Sequence, residues 1–118
     1  MSLPIVELNE DNFKKVVAKG TVLVDFWAPW CMPCLMQSPI LETVAEKIGN
    51  KVVIAKANVE NFPALAELYE VEGIPTLLLF DNGKVMRRFT GLQSERILRN
   101  ALQEVTGAVP VNNADIFA

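Results

Sequence analysis

The chain alternates short runs of consecutive apolar residues with stretches in which apolar residues recur every three or four positions. The first rhythm marks strands buried on both faces, the second amphipathic helices. Thr21-Val22-Leu23-Val24-Asp25-Phe26-Trp27 and Lys51 to Asn58, centred on Val52-Val53-Ile54-Ala55, are of the strand kind. Between them, Leu35, Ile40, Leu41, Val44, Ala45 and Ile48 outline one helix face. Pro39 lies within that stretch, removes one backbone hydrogen bond and predicts a kink. Strand, helix and strand in this order predict a parallel, right-handed βαβ unit.

The flanking segments extend the pattern. A short strand is expected near Ile5 to Leu8, followed by a helix capped by Asn9, with Glu10 and Asp11 in its first turn. Phe13, Val16 and Val17 make its apolar face, and Gly20 is placed to end it. Asn61 and Pro63 open a short helix from Ala64 to about Glu70, which stops before Gly73. Thr76 to Phe80 and Lys84 to Thr90 flank Asp81-Asn82-Gly83, a signal for a tight antiparallel hairpin. A last helix starts at Ser94, turns Ile97, Leu98, Ala101, Leu102 and Val105 inward, and has Gly107 beyond its end. The sum is an α/β domain over residues 1–107, a mixed five-stranded sheet with helices on both faces, and a C-terminal tail over 108–118.

Composition narrows the function. With 118 residues, 51% of them hydrophobic, the chain has the size and apolar content of one domain with its own core. Its two cysteines are not needed as a staple. A formal charge of −3 argues against nucleic acid or an anionic membrane as main partner. Lys84, Arg87, Arg88, Arg96 and Arg99 form a modest basic cluster that reads as a solvated face. No apolar stretch is long enough to span a bilayer, and the N-terminus lacks a basic region followed by an apolar core, so a soluble, cytoplasmic protein is expected. Met1-Ser2-Leu3 is assigned no structural role.

Chemistry concentrates in Trp30-Cys31-Met32-Pro33-Cys34, at the junction between the strand ending at Trp27 and the helix that follows. Cys31 falls at a helix N-terminus, where free N–H groups and the positive end of the dipole favour thiolate over thiol. Pro33 suits the first turn, where a missing N–H costs nothing. Three readings of the pair stand open: half of a metal site, an inert disulfide, or a redox dithiol. Structural zinc takes four Cys or His ligands, and the chain has no His and no third Cys, so only a dimer could complete a shell. C-x-x-C beside a βαβ pattern favours redox chemistry, with no metal and no cofactor.

These residues resemble the thioredoxin family over about residues 5 to 106. The likeness is carried by Val24-Asp25-Phe26-Trp27-Ala28, Trp30-Cys31 with Pro33-Cys34, Pro39-Ile40-Leu41, Ala55-Lys56 with Asn58, Gly73-Ile74-Pro75-Thr76, Phe80 with Asn82-Gly83, and Gly91. It implies the thioredoxin fold, with four helices around the sheet, and a thiol-disulfide oxidoreductase. Cys31 would be the exposed nucleophile that forms a mixed disulfide with substrate, and Cys34, more buried, would resolve it. Asp25, a lone carboxylate in an apolar strand, should have a raised pKa and would exchange a proton with Cys34. The structural alternative is a carboxylate bonded to backbone, or one at a frayed strand end. Lys56 is either the charge partner of Asp25 or a snorkelling surface lysine.

The resemblance further implies a cis peptide bond before Pro75 and pairing of the Ile74 backbone with an extended substrate segment. Trp30, Met32, Pro33, Ile74, Gly91 and Leu92 would surround the dithiol as an apolar docking surface, whereas Trp27, on the strand, reads as core. Three positions depart from the family pattern: Met32 stands where glycine is usual, Leu35 where lysine is common, and Pro29 where an acidic residue is common. They bear on the potential of the couple rather than on its mechanism. The implied partners are proteins containing disulfides and a thioredoxin reductase that recharges the dithiol; a monomer is the default expectation. A disulfide oxidase or isomerase of the same fold, and a thioredoxin-fold interaction subunit with incidental redox activity, are the alternatives.

Overall fold

The computed structural model describes residues 4–107; the tail expected over 108–118 and Met1-Ser2-Leu3 lie outside the described residues. Its elements are β1 (Val6–Glu7), α1 (Phe13–Val17), β2 (Thr21–Trp27), α2 (Met32–Ile48), β3 (Val52–Asn58), α3 (Pro63–Leu68), β4 (Thr76–Asp81), β5 (Lys84–Thr90) and α4 (Glu95–Thr106). The five strands lie in the order β1-β3-β2-β4-β5. β1, β3 and β2 run parallel, while β4 pairs antiparallel with both β2 and β5. The mixed sheet expected from the patterning is therefore present.

Alternation along the strands sends successive side chains to opposite faces and builds two cores. On one face Leu23, Ile54, Leu77 and Leu79 pack under Leu41 and Val44 of α2 and Leu98 and Leu102 of α4. On the other, Val22, Val24, Phe26 and Phe80 pack under Phe13 and Val17 of α1 and Leu65 of α3. The rings of Phe13 and Phe80 meet edge to face with centroids 6.1 Å apart. The unbroken apolar run of β2 is thus explained, since it is the central strand and has helices on both sides.

Some boundaries differ from the patterning. The first helix begins at Phe13, without Glu10 and Asp11 in its first turn. Asn9 does cap, but it caps a turn: its Oδ1 accepts the N–H groups of Asp11 and Asn12, each at 2.8 Å, while Asn12 Oδ1 accepts the Asn9 N–H at 2.7 Å. α1 ends at Val17, ahead of Gly20. α3 stops at Leu68, and Glu70 beyond it takes a left-handed φ of 56°. Leu35 and Ile97, read as core from their spacing, are exposed.

The β4–β5 hairpin has the two-residue turn that Asn82-Gly83 predicts, with φ of 50° and 89°. Its tip is tied to the start of β2: the Asn82 N–H donates to the Gly20 carbonyl at 2.9 Å, and the Gly20 N–H donates to Asn82 Oδ1 at 2.8 Å. A Cβ at Gly83 would meet only ordinary contact, 3.9 Å from Ala18 Cα, so a substitution there tests the backbone conformation alone. Gly83→Ala is expected to lower stability by about 1–2 kcal/mol in urea denaturation, the cost of a side chain in left-handed backbone. Unchanged stability would mean that the turn relaxes freely.

Candidate active site

β2 delivers the chain to the site through Ala28, whose carbonyl accepts the Cys31 N–H at 3.2 Å. Cys31 has extended backbone and is the N-cap of α2, and its Sγ accepts the N–H of Cys34 at 3.2 Å. A sulfur in this position receives one of the donors that a helix start leaves free and sits at the positive end of a 17-residue helix. Pro33 occupies the first turn without loss of a bond. Cys31 and Cys34 are joined in a disulfide, with Cα atoms 5.2 Å apart.

The sequence reading puts Cys31 at the surface, and here the structure differs. Cys31 is only 6% exposed and Cys34 1%, because Ala28, Trp27, Val59 and Ile74 pack around the pair. Cys31 remains the more accessible of the two. Its Sγ lies 3.7 Å from the carbonyl oxygen of Ile74, and the Ile74-Pro75 bond is cis. Pro75 in turn accepts the N–H of Gly91 at 2.8 Å, which joins the start of β4 to the segment after β5.

Around this disulfide the surface is apolar. Trp30 and Met32 are each 66% exposed, Pro33 and Leu92 are exposed, and Ile74 and Gly91 are half-buried. The Trp30 indole N–H donates to the Glu60 carboxylate, which orients the ring. A groove of about 300 Å³ opens beside Ile74, between Trp30, Val59, Pro63 and Val71. Among the described residues, no cluster of His, Cys, Asp and Glu could hold a metal ion.

Asp25 lies on β2 between Lys56 of β3 and Leu77 of β4. By alternation it points to the same face as Leu23, the face that α2 covers. It is fully buried, and neither carboxylate oxygen bonds a protein group, so the backbone-bonded alternative does not hold. Burial pushes its pKa from 3.8 up to about 7, against the weaker pull of the Lys56 ammonium. Lys56 makes no ion pair with Asp25: its Nζ stands 4.1 Å from the centre of the half-buried Trp27 ring and donates to Ser38 Oγ at 3.3 Å. It acts on Asp25 through its field and on Trp27 by contact.

A disulfide that caps a helix, a cis-proline beside it and a buried carboxylate on the strand below set the frame for comparison with known proteins. The thioredoxin family model matches residues 4–104. The chain belongs to the thioredoxin family. It is 43% identical over 102 residues to a thioredoxin of Buchnera aphidicola from Acyrthosiphon pisum, a match that covers 85% of this chain and 94% of that one. To a thioredoxin of Chlamydia pneumoniae it is 42% identical over 97 residues, covering 82% and 94%. The structure of a mutant thioredoxin from Halobacterium salinarum NRC-1 superposes with a TM-score of 0.81 at 37% identity, covering 91% of this chain and 94% of that one. Like these thioredoxins the protein is a thiol-disulfide oxidoreductase, a protein-disulfide reductase whose redox centre is the Cys31–Cys34 pair.

Sequence reasoning missed Gln37 and Gln93. Gln37 is fully buried one turn after Cys34, on the stripe that continues through Leu41, Val44 and Ala45. Its signal in the sequence was a polar residue at core spacing, which only a partner out of view could explain.

Proposed function

We propose that Cys31 is the attacking thiolate and Cys34 the resolving thiol in the reduction of disulfides within protein substrates. The observation that carries this order is the bond from the Cys34 N–H to Cys31 Sγ at the start of α2, which favours negative charge on Cys31. In the reduced protein, Cys31 thiolate attacks one sulfur of the substrate disulfide, forms a mixed disulfide and releases the other sulfur as thiolate. Cys34 then passes its proton to the Asp25 carboxylate, and its sulfur attacks that of Cys31. The second substrate sulfur leaves as thiolate, and the Cys31–Cys34 bond closes. Two electrons have moved from the dithiol to the substrate. A pKa of about 7 lets Asp25 take up and give back that proton near neutral pH. Lys56 favours the ionised form that accepts the proton.

The substrate lies extended over Trp30, Met32, Pro33, Gly91 and Leu92, and pairs with the backbone at Ile74 beside Pro75. The exposure of Trp30, Met32 and Leu92 and the groove next to Ile74 support this placement. Acting as a monomer in the cytoplasm, the protein is recharged by a thioredoxin reductase. No helix among the described residues is long and apolar enough to cross a membrane.

Equilibration of the Cys31–Cys34 couple against a dithiol buffer tests this reading. Thioredoxin couples lie at about −270 mV and protein disulfide isomerase at about −180 mV, a gap of roughly 4 kcal/mol. A potential near the first is expected. One near the second would make the protein an oxidant or isomerase and reopen its compartment.

A further inference from the structure

We propose that Gln37 is a positioning residue for substrate docking: it clamps the segment after β5 to the helix that carries Cys34 and through that segment positions both walls of the docking face. The clamp is bidentate. Gln37 Nε2 donates to the Gln93 carbonyl at 3.0 Å, and Gln37 Oε1 accepts the Gln93 N–H at 2.8 Å, so one side-chain amide pairs with a backbone residue as a neighbouring strand would. Gln37 is fully buried and Gln93 half-buried, so the amide of Gln37 depends on these bonds for its partners. An apolar side chain would fill the same place on the α2 stripe but would leave both backbone groups of Gln93 without their partners.

The clamp continues to the redox centre. The Gln93 side chain folds back, and its Nε2 donates to the Gly91 carbonyl at 3.1 Å. Gly91 N–H donates to the Pro75 carbonyl at 2.8 Å, and the Ile74 carbonyl that precedes Pro75 faces Cys31 Sγ. A closed circuit therefore runs from α2 through Gln37, Gln93, Gly91 and Pro75 back to Cys31. Both walls of the docking face, Ile74 on one side and Gly91-Leu92 on the other, take their position from it. Gly91 has a φ of 90°, and Gln93 Nε2 also donates to the Thr90 carbonyl at 3.3 Å, so the clamped Gln93 bonds both Gly91 and the residue before it.

This inference rests on the docking surface proposed above, and its test separates the two. In the full chain, Gln37→Met removes both bonds while keeping the volume, and Leu92→Asp disrupts the docking face directly. With dithiothreitol as reductant, Gln37→Met is expected to raise KM for insulin about five-fold or more with kcat within about two-fold, the mark of lost binding rather than lost chemistry. Reaction with a small aromatic disulfide and the potential of the couple should stay unchanged. If Leu92→Asp raises KM and Gln37→Met does not, the clamp has no docking role and the inference falls. If neither raises KM, the docking surface falls with it. Equal loss with insulin and the small disulfide would make Gln37 a general structural residue and likewise overturn the proposal. Hydrogen exchange on the unaltered protein gives a test that no folding defect can obscure: the Gln93 amide should be protected like the core of β2, and exchange at the rate of an open loop would show the clamp absent in solution.

Discussion

Replacing Cys34 with serine is expected to turn the protein into a trap. Cys31 would still attack a substrate disulfide, but no thiol would remain at position 34 to break the mixed disulfide, which should accumulate one to one with substrate. Cys31→Ser should give no such adduct and reduce turnover by at least about a thousandfold, since a hydroxyl cannot replace a thiolate as nucleophile at neutral pH. Mass spectrometry of the products after incubation with a protein disulfide, under non-reducing conditions, reads both outcomes. Trapping by Cys31→Ser and not by Cys34→Ser would reverse the roles. The asymmetry follows from geometry, as Cys31 caps the helix and keeps the greater access while Cys34 lies inside the first turn with almost none.

Asp25→Asn is expected to stabilise the fold, and to do so in a pH-dependent way. In the unfolded chain an aspartate ionises near its ordinary value, whereas burial holds Asp25 protonated up to about 7. Below about pH 3 both states carry the proton and the residue has no ionisation effect on stability. As pH rises from about 3 to 7, the unfolded state loses its proton while the folded state keeps it, so stability falls through that window. Above 7 the full cost is present. The displacement from 3.8 to about 7 corresponds to roughly 4 kcal/mol. The asparagine still buries a polar group, so the expected gain at pH 8 is on the order of 2–4 kcal/mol and close to nil at about pH 3. Urea denaturation at the two pH values measures it, and an equal gain at both would mean that ionisation of Asp25 is not its source. The same variant should slow resolution of the mixed disulfide far more than its formation. Equal slowing would remove Asp25 from the proton path.

The strands and the hairpin were legible in the sequence because each is fixed by a local signal that burial reinforces. Thr21 to Trp27 is apolar throughout as the central strand must be, and Asn82-Gly83 supplies both positive φ values of the turn. The helix faces were read less well. Leu35 and Ile97 satisfy apolar spacing yet face outward, while Gln37 breaks the spacing yet lies in the core, because its amide finds backbone partners 56 residues away. Patterning scores residue type and has no access to such long-range partners. The site shows the same division. Placement of Cys31 at a helix start follows from adjacent sequence, and the solitary Asp25 stood out in its apolar strand. That Lys56 lies over Trp27 and bonds Ser38, without pairing with Asp25, depends on how α2 packs across the sheet. α1 starts later than the patterning predicts for a local reason, since one Asn9 side chain can close a turn as well as begin a helix.

The outer strands of the sheet have a consequence for how the protein behaves in a crowded solution. An unpaired strand edge is a template on which another chain can add. On one side that template is the two residues of β1, too short to hold a guest. On the other, β5 is broken by a register shift opposite Leu79 and Phe80 that leaves Met86 without a partner, and the strand carries Lys84, Arg87 and Arg88. Arg88 reaches back to the carbonyls of Tyr69 and Glu70, and Arg87 to Glu104 of α4, so β5 is fastened on both faces. Lys84, Arg87 and Arg88, the β5 members of the basic cluster that reads in the sequence as an ordinary wet face, therefore double as a guard against edge-to-edge aggregation. A protein that reduces disulfides in other proteins is thereby kept from adding their strands to its own sheet.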